Sequence, residues 1–173
     1  LNAWSVQSGI GPKLRDEIIA GGTLAKLGDG AGAKPSCGAD GYINPKRATP
    51  GEQKSQTAAI LSAAITRDRG GKIELRAGVS GKLTLKIGPQ TVVVEELSNR
   101  EGRPLPDERF FEVDLPKGET SIIAVLEPDT GGFYLRMRDA EGRTPTGIAW
   151  REQFSQASCK PGALLDHRTD LRL

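Results

Sequence analysis

His167, beside Asp166 near the C-terminus, is the only imidazole in this chain. A histidine can act as the base that activates a hydroxyl nucleophile, and Ser155 and Ser158 lie in the same stretch. Hydrolysis by that route needs one hydroxyl within hydrogen-bond reach of His167, a placement that spacing does not fix. The simpler reading is a polar histidine in a tail. Acidic side chains offer a second route, since glycoside hydrolysis uses a pair of carboxylates. Glu95 and Glu96 are adjacent in an extended segment and so face opposite sides. Glu112 and Asp114 share a face at roughly 6.5–7 Å along the strand, a spacing also met on any solvated strand face.

Phosphate chemistry is poorly served. The run from Gly28 to Lys34 carries glycines and a lysine, but Pro35 stands where Ser or Thr would bind magnesium, and no apolar strand precedes it. The Gly78-Val79-Ser80-Gly81-Lys82 stretch joins two extended segments instead of opening a helix. Neither a C-x-x-C motif nor zinc-ligand spacing is present, and no cofactor is expected.

The two cysteines have a structural reading. Cys37 lies in a Gly-, Pro- and Ser-rich stretch, and Cys159 is followed by Lys160-Pro161-Gly162. A Cys37–Cys159 bridge would close a loop of more than a hundred residues, worth roughly 5 kcal/mol in the chain-entropy account. Such a bridge belongs to an oxidising compartment. The chain starts at Leu1 and its only methionine is Met137, as in a mature form that has lost a leader, although a trimmed chain would look the same. The expectation is a secreted or periplasmic protein, with two unrelated thiols in a cytosolic protein as the alternative.

Composition narrows the partners. The 24 basic residues nearly cancel the 22 acidic ones, for a formal charge of +2, and the two signs are mixed along the chain. That balance argues against a general nucleic-acid grip. Arg136, Arg138 and Arg143 come closest to a basic cluster, and Asp139 and Glu141 interrupt it. No stretch approaches the ~20 apolar residues that span a bilayer, so no membrane insertion is expected. At 173 residues, the chain can bury one sizeable core.

The elements that must position these groups are mostly strands. Segments 72–77, 82–87, 91–97, 109–115, 121–126, 133–138 and 147–154 alternate apolar and polar residues and are parted by Gly, Pro, Asp and Asn clusters. Ile73 and Leu75, Leu83, Leu85 and Ile87, and Phe111, Val113 and Leu115 point to one side. In the next strands Ile123 and Val125, then Phe133, Leu135 and Met137, supply the apolar side, with Tyr134, Arg136 and Arg138 outside. Turn chemistry sits at 78–81, 116–119, 129–132 and 141–143. No helix-length segment separates the strands, which favours hairpins of a sandwich over parallel βαβ units.

The first seventy residues differ. Pro12 at a first helical position, then Leu14, Ile18 and Ile19, then Gly21-Gly22, predict a helix over 12–20. Residues 28–50 read as a long irregular connection anchored by Cys37 and Tyr42. Thr49-Pro50-Gly51-Glu52 has capping-box form, and Ala58, Leu61, Ala64 and Ile65 recur at helical spacing. These predict a second helix over 50–67, its Ala-rich face packed on the sheet.

The residues from Arg109 to Gly118, the β-branched run Ser121 to Leu126, the Gly132 to Met137 strand and the Asp139-Ala140-Glu141-Gly142 turn together resemble the central part of bacterial pre-peptidase C-terminal domains. Those are small β-sandwich modules appended to secreted hydrolases, so the resemblance implies an exported accessory or binding module. The acidic residues that usually precede the aromatic-leucine strand are replaced here by Gly131-Gly132-Phe133, a departure that bears against a calcium site of that kind.

The resulting expectation is an α+β protein. Residues 71–173 form an antiparallel β-sandwich, jelly-roll-like, of about seven strands, and residues 1–70 supply two helices and a long loop packed on it. Trp4, Tyr42, Phe110, Tyr134 and Trp150 are the aromatics available for recognition, unless a second layer covers them. The expected function is a non-enzymatic module with a protein-binding surface on the outward strand face around Phe110, Tyr134, Arg136 and Arg138. The alternatives are a carbohydrate-binding accessory module, and a hydrolase using His167 or the strand carboxylates.

Overall fold

The computed structural model describes residues 4–21, 36–37, 41–45, 57–95, 104–127 and 131–152. These residues form two antiparallel sheets packed face to face, with one helix on the outside. The first sheet runs β1 (Ser5–Ile10), β4 (Ala58–Arg67), β9 (Gly118–Leu126), β6 (Lys82–Ile87) and β7 (Gln90–Glu95). β11 (Ile148–Glu152) also pairs with β4. The second runs β2 (Ser36–Cys37), β3 (Tyr42–Asn44), β10 (Phe133–Arg138), β5 (Gly71–Val79) and β8 (Arg109–Leu115).

All seven alternating segments form strands over their described residues, and the apolar sides assigned to β5, β6, β8 and β10 meet in one core. On β9 the assignment is reversed, since Ile123 and Val125 lie in a second cluster on the opposite face and Ile122, Ala124 and Leu126 face the main core. Leu83, Leu85, Ile87, Ile122 and Ala124 come from the first sheet, and Ile73, Leu75, Val113, Phe133 and Leu135 from the second. The alternation has a direct cause: most of these strands have one face on the core and one toward solvent or a partial cover, whereas β9 is buried on both faces from Ile122 to Leu126.

The N-terminal region departs from expectation. The helix over 12–20 forms as α1 (Pro12–Ile19), with Pro12 opening it. The second helix does not form: Ala58–Arg67 is the strand β4, so the described residues hold one helix instead of two. The capping-box residues 49–52 lie outside the described residues. β4 is buried on both faces, with Ala59, Leu61, Ala63 and Ile65 in the main core and Ala58 and Ile60 in a second cluster under α1. A strand covered on both faces reads as a continuous apolar run, and tertiary packing overrides the helical preference of its alanines. The strand count also exceeds seven, because β1 to β4 add strands from the first seventy residues.

α1 seals the outer face of the first sheet. Ile18 is fully buried, and Leu14 and Ile19 pack with it against Ile10, Ile60, Ile123 and Val125. Arg15 Nη1 donates to Glu127 Oε2 at 2.7 Å, and Lys86 Nζ donates to the Ile18 carbonyl at 3.4 Å, supplying a cation to the negative helix end. No helix among the described residues is long and apolar enough to cross a membrane.

Candidate binding surface and edge cleft

The outer face of the second sheet is built from residues of alternate parity on β10, β5 and β8. Register places Tyr134 opposite Gly78, Arg136 opposite Arg76, and Arg76 opposite Phe110, so Arg136, Arg76 and Phe110 form one row across three strands. The neighbouring row is Arg138, Glu74 and Glu112. Phe110 is 68% exposed, the most exposed large apolar side chain among the described residues.

Tyr134 faces outward as the alternation requires, yet it is buried. Tyr42 of β3 is its cross-strand neighbour in the same sheet, with ring centroids 5.2 Å apart. Gly78, the partner of Tyr134 on the other side, lies under the Leu105 carbonyl of the turn that crosses this face. Glycine makes room for Tyr42: a Cβ at Gly132 would stand 2.6 Å from the Ile43 carbonyl oxygen and collide with the Tyr42 ring. The absence of a side chain at Gly132 therefore admits β3 at this distance. Arg136 lies over the Tyr134 ring at 5.9 Å and donates through Nη1 to Asp107 Oδ2 at 3.3 Å. Asp107 has a left-handed backbone, φ 66°, in the turn that leads the chain back over this face.

Three of the strand carboxylates, Glu112, Glu74 and Glu95, are engaged with cations, and the Asp114 carboxylate is in no ion pair among the described residues. Glu112 pairs with Lys72 at the surface, and that hydrogen bond is the main reason the Lys72 ammonium is held above its ordinary value. Glu74 pairs with Arg76, and Glu95 with Lys82 at 3.3 Å. No group of three or more His, Cys, Asp and Glu side chains that could hold a metal occurs among the described residues. Glu96, Ser155, Ser158, Cys159 and His167 lie outside the described residues. Cys37 is on β2, but the Cys37–Cys159 bridge cannot be placed without Cys159.

A cleft of about 400 Å³ opens where β10 and β11 approach from opposite sheets. Its apolar floor is Met137, Pro145, Ile148 and Trp150. Trp150 is half-buried and backed by the fully buried Trp4, ring centroids 5.8 Å apart, and Trp4 meets Phe133 edge-on at 5.9 Å. The rim is Arg136, Arg138 and Thr144. Arg138 Nη1 donates to Thr144 Oγ1 at 3.1 Å, and among the described residues Arg138 has no carboxylate within ion-pair distance. The rim loop is shaped by Asp139, whose carboxylate accepts the backbone N–H groups of Glu141 at 3.1 Å and Arg143 at 2.8 Å, and Gly142 takes φ 75°. The Arg143 amide, foremost, holds the Asp139 carboxyl below the usual carboxylate range.

Of the four side chains expected to form one surface, the structure brings Arg136 into a row with Phe110, and Arg136 and Arg138 to the cleft rim. Tyr134 is buried beside Tyr42. The cleft itself had only partial sequence signals: Trp150 stands out as an aromatic, but Met137 reads simply as an inward residue of its own strand.

No family model matches the chain, and no curated protein matches it. Among solved structures, it is similar to a β-glucosidase from Kluyveromyces marxianus in complex with glucose, with 13% identity and a TM-score of 0.43. The selenomethionine-labelled form of that enzyme gives 13% identity and a TM-score of 0.44. Each likeness covers 58% of this chain, which spans only 14% and 13% of those chains.

Proposed function

We propose that the chain is an exported, non-enzymatic binding module that docks a protein partner on the outer face of its second sheet. Phe110 carries the reading: a large aromatic side chain, 68% exposed, stands on a paired strand. Arg76 and Arg136 extend its row. An aromatic anchor on a rigid face with arginines beside it has the composition of an interface centre. The resemblance of residues 109–142 to accessory modules of secreted hydrolases supports the same reading.

A photo-crosslinking phenylalanine analogue at position 110 tests it in the native extracellular or periplasmic fraction. The expected result is a discrete adduct, with the complex lost in Phe110→Ala and Arg76→Ala. Equal labelling from the same probe at Val93, which is exposed on β7, would overturn it.

A second reading, a carbohydrate-binding accessory module, is favoured by a different observation. The half-buried Trp150 floors an open cleft, and an indole face is a stacking platform for a sugar ring.

A further inference from the structure

The edge cleft combines three features that recognise different parts of one ligand. Trp150 and Met137 offer an apolar bed. Thr144 Oγ1 accepts from Arg138, which leaves its own O–H free to donate to an incoming acceptor. The Arg138 guanidinium spends one N–H on that hydroxyl and, among the described residues, has no carboxylate partner. The other arginines at this end are compensated: Arg136 pairs with Asp107 at 3.3 Å, and Arg143 with Asp139 and Glu141 at 3.1 and 2.9 Å.

Glu74 stands opposite Arg138 on the neighbouring strand but is paired with Arg76. A planar cation left out of ion-pair contact at the mouth of an apolar cleft is complementary to a carboxylate carried on a ring. Guanidinium binds carboxylate through two parallel N–H bonds, and the surrounding apolar surface strengthens that contact by limiting water. A pyranose places C–H groups on its face and hydroxyls around its edge. It thus matches the indole below and the Thr144 hydroxyl at the rim, which a purely aromatic acid would leave unused. A volume of about 400 Å³ lies in the range of small-molecule sites and accommodates one or two such rings.

We infer that the cleft between β10 and β11 is a subsite for a uronic-acid residue of an acidic saccharide, with Arg138 holding the carboxylate and Trp150 stacking beneath the ring. This rests on the carbohydrate reading of the cleft and adds the charge of the ligand.

Calorimetric titration with trigalacturonate, with neutral galactotriose and with a hexaglutamate peptide tests it on the full chain. The expected result is binding of trigalacturonate about tenfold or more tighter than either control, the scale of one charge-assisted hydrogen bond. Arg138→Gln should abolish that preference, and Trp150→Ala should remove binding. Because Trp150 also packs on the core, Trp150→Phe serves as the variant that keeps the fold, and it should weaken binding of the acidic and the neutral sugar in the same proportion. Equal affinity for galactotriose, or a preference that survives Arg138→Gln, overturns the uronate assignment and leaves the carbohydrate reading standing. Absence of binding to either saccharide overturns both, and equal binding of hexaglutamate reduces the site to nonspecific charge attraction and overturns the assignment as well.

Discussion

The carbonyl oxygen of Leu105 occupies the space where a side chain at residue 78 would begin. Gly78 is the residue of β5 that the 104–108 turn crosses as it folds over the outer sheet face, and even one Cβ there would strike the Leu105 backbone. The glycine is needed for close approach, and its backbone lies outside the left-handed region. That crossing delivers Asp107 to Arg136 and so fixes one arginine of the Phe110 row.

Gly78→Ala should therefore destabilise the fold by about 1–3 kcal/mol, the usual cost of overpacking. A shift of the urea midpoint at unchanged slope measures it. The same variant should displace the 104–108 turn and alter the NMR signal of the Arg136 side chain, whereas a change confined to residue 78 would show that the turn is not seated on it.

Ile18→Ala tests the docking of α1. Ile18 is fully buried between the helix and the first sheet, so its truncation should cost about 2–5 kcal/mol. Lys13→Ala, on the exposed side of the same helix, should stay within about 0.5 kcal/mol. Similar effects of the two changes would mean that the helix does not cover this face.

The Asp139 loop should loosen in acid. The carboxyl of Asp139 is depressed in the folded state, so the order it confers is complete above the ordinary value near pH 4 and is lost as pH falls through the lower folded value. The Arg143 amide, which donates to Asp139 Oδ1, reports this directly: its proton chemical shift should titrate below pH 4 and show no such step in Asp139→Asn.

A Cys37–Cys159 bridge predicts that the intact chain gains the mass of two hydrogens on reduction, and that reduction lowers stability by a few kcal/mol. Unchanged mass under denaturing conditions with reductant would remove the bridge and weaken the case for an oxidising compartment.

Much of the sandwich was legible because its strands are half-covered. Where one face meets the core and the other does not, the polypeptide must alternate, and segments such as Lys82–Ile87 and Phe133–Arg138 carry that alternation in full. α1 was legible from Pro12 and the spacing of Leu14 and Ile18. β1 was not, since Gly9 at φ 78° and a register shift between Gln7 and Ile10 interrupt its pattern with an irregularity.

The amino-acid sequence by itself determined where the seven alternating strands run, which side chains of the half-covered ones face the core, and where the chain turns. These are local matters, settled by side-chain parity and by residues that tolerate a bend. It did not determine the facing of β9, which is buried on both sides. Only the tertiary structure decided that Ala58–Arg67 is a strand, because burial on both faces erases the alternation that identifies one. It also decided that Tyr134 is buried in the row crossed by the 104–108 turn while Phe110 stands free, and that Arg138 and Trp150 share a cleft. Those relationships join residues on different strands and different sheets, and packing between layers, which no local pattern encodes, brings them together.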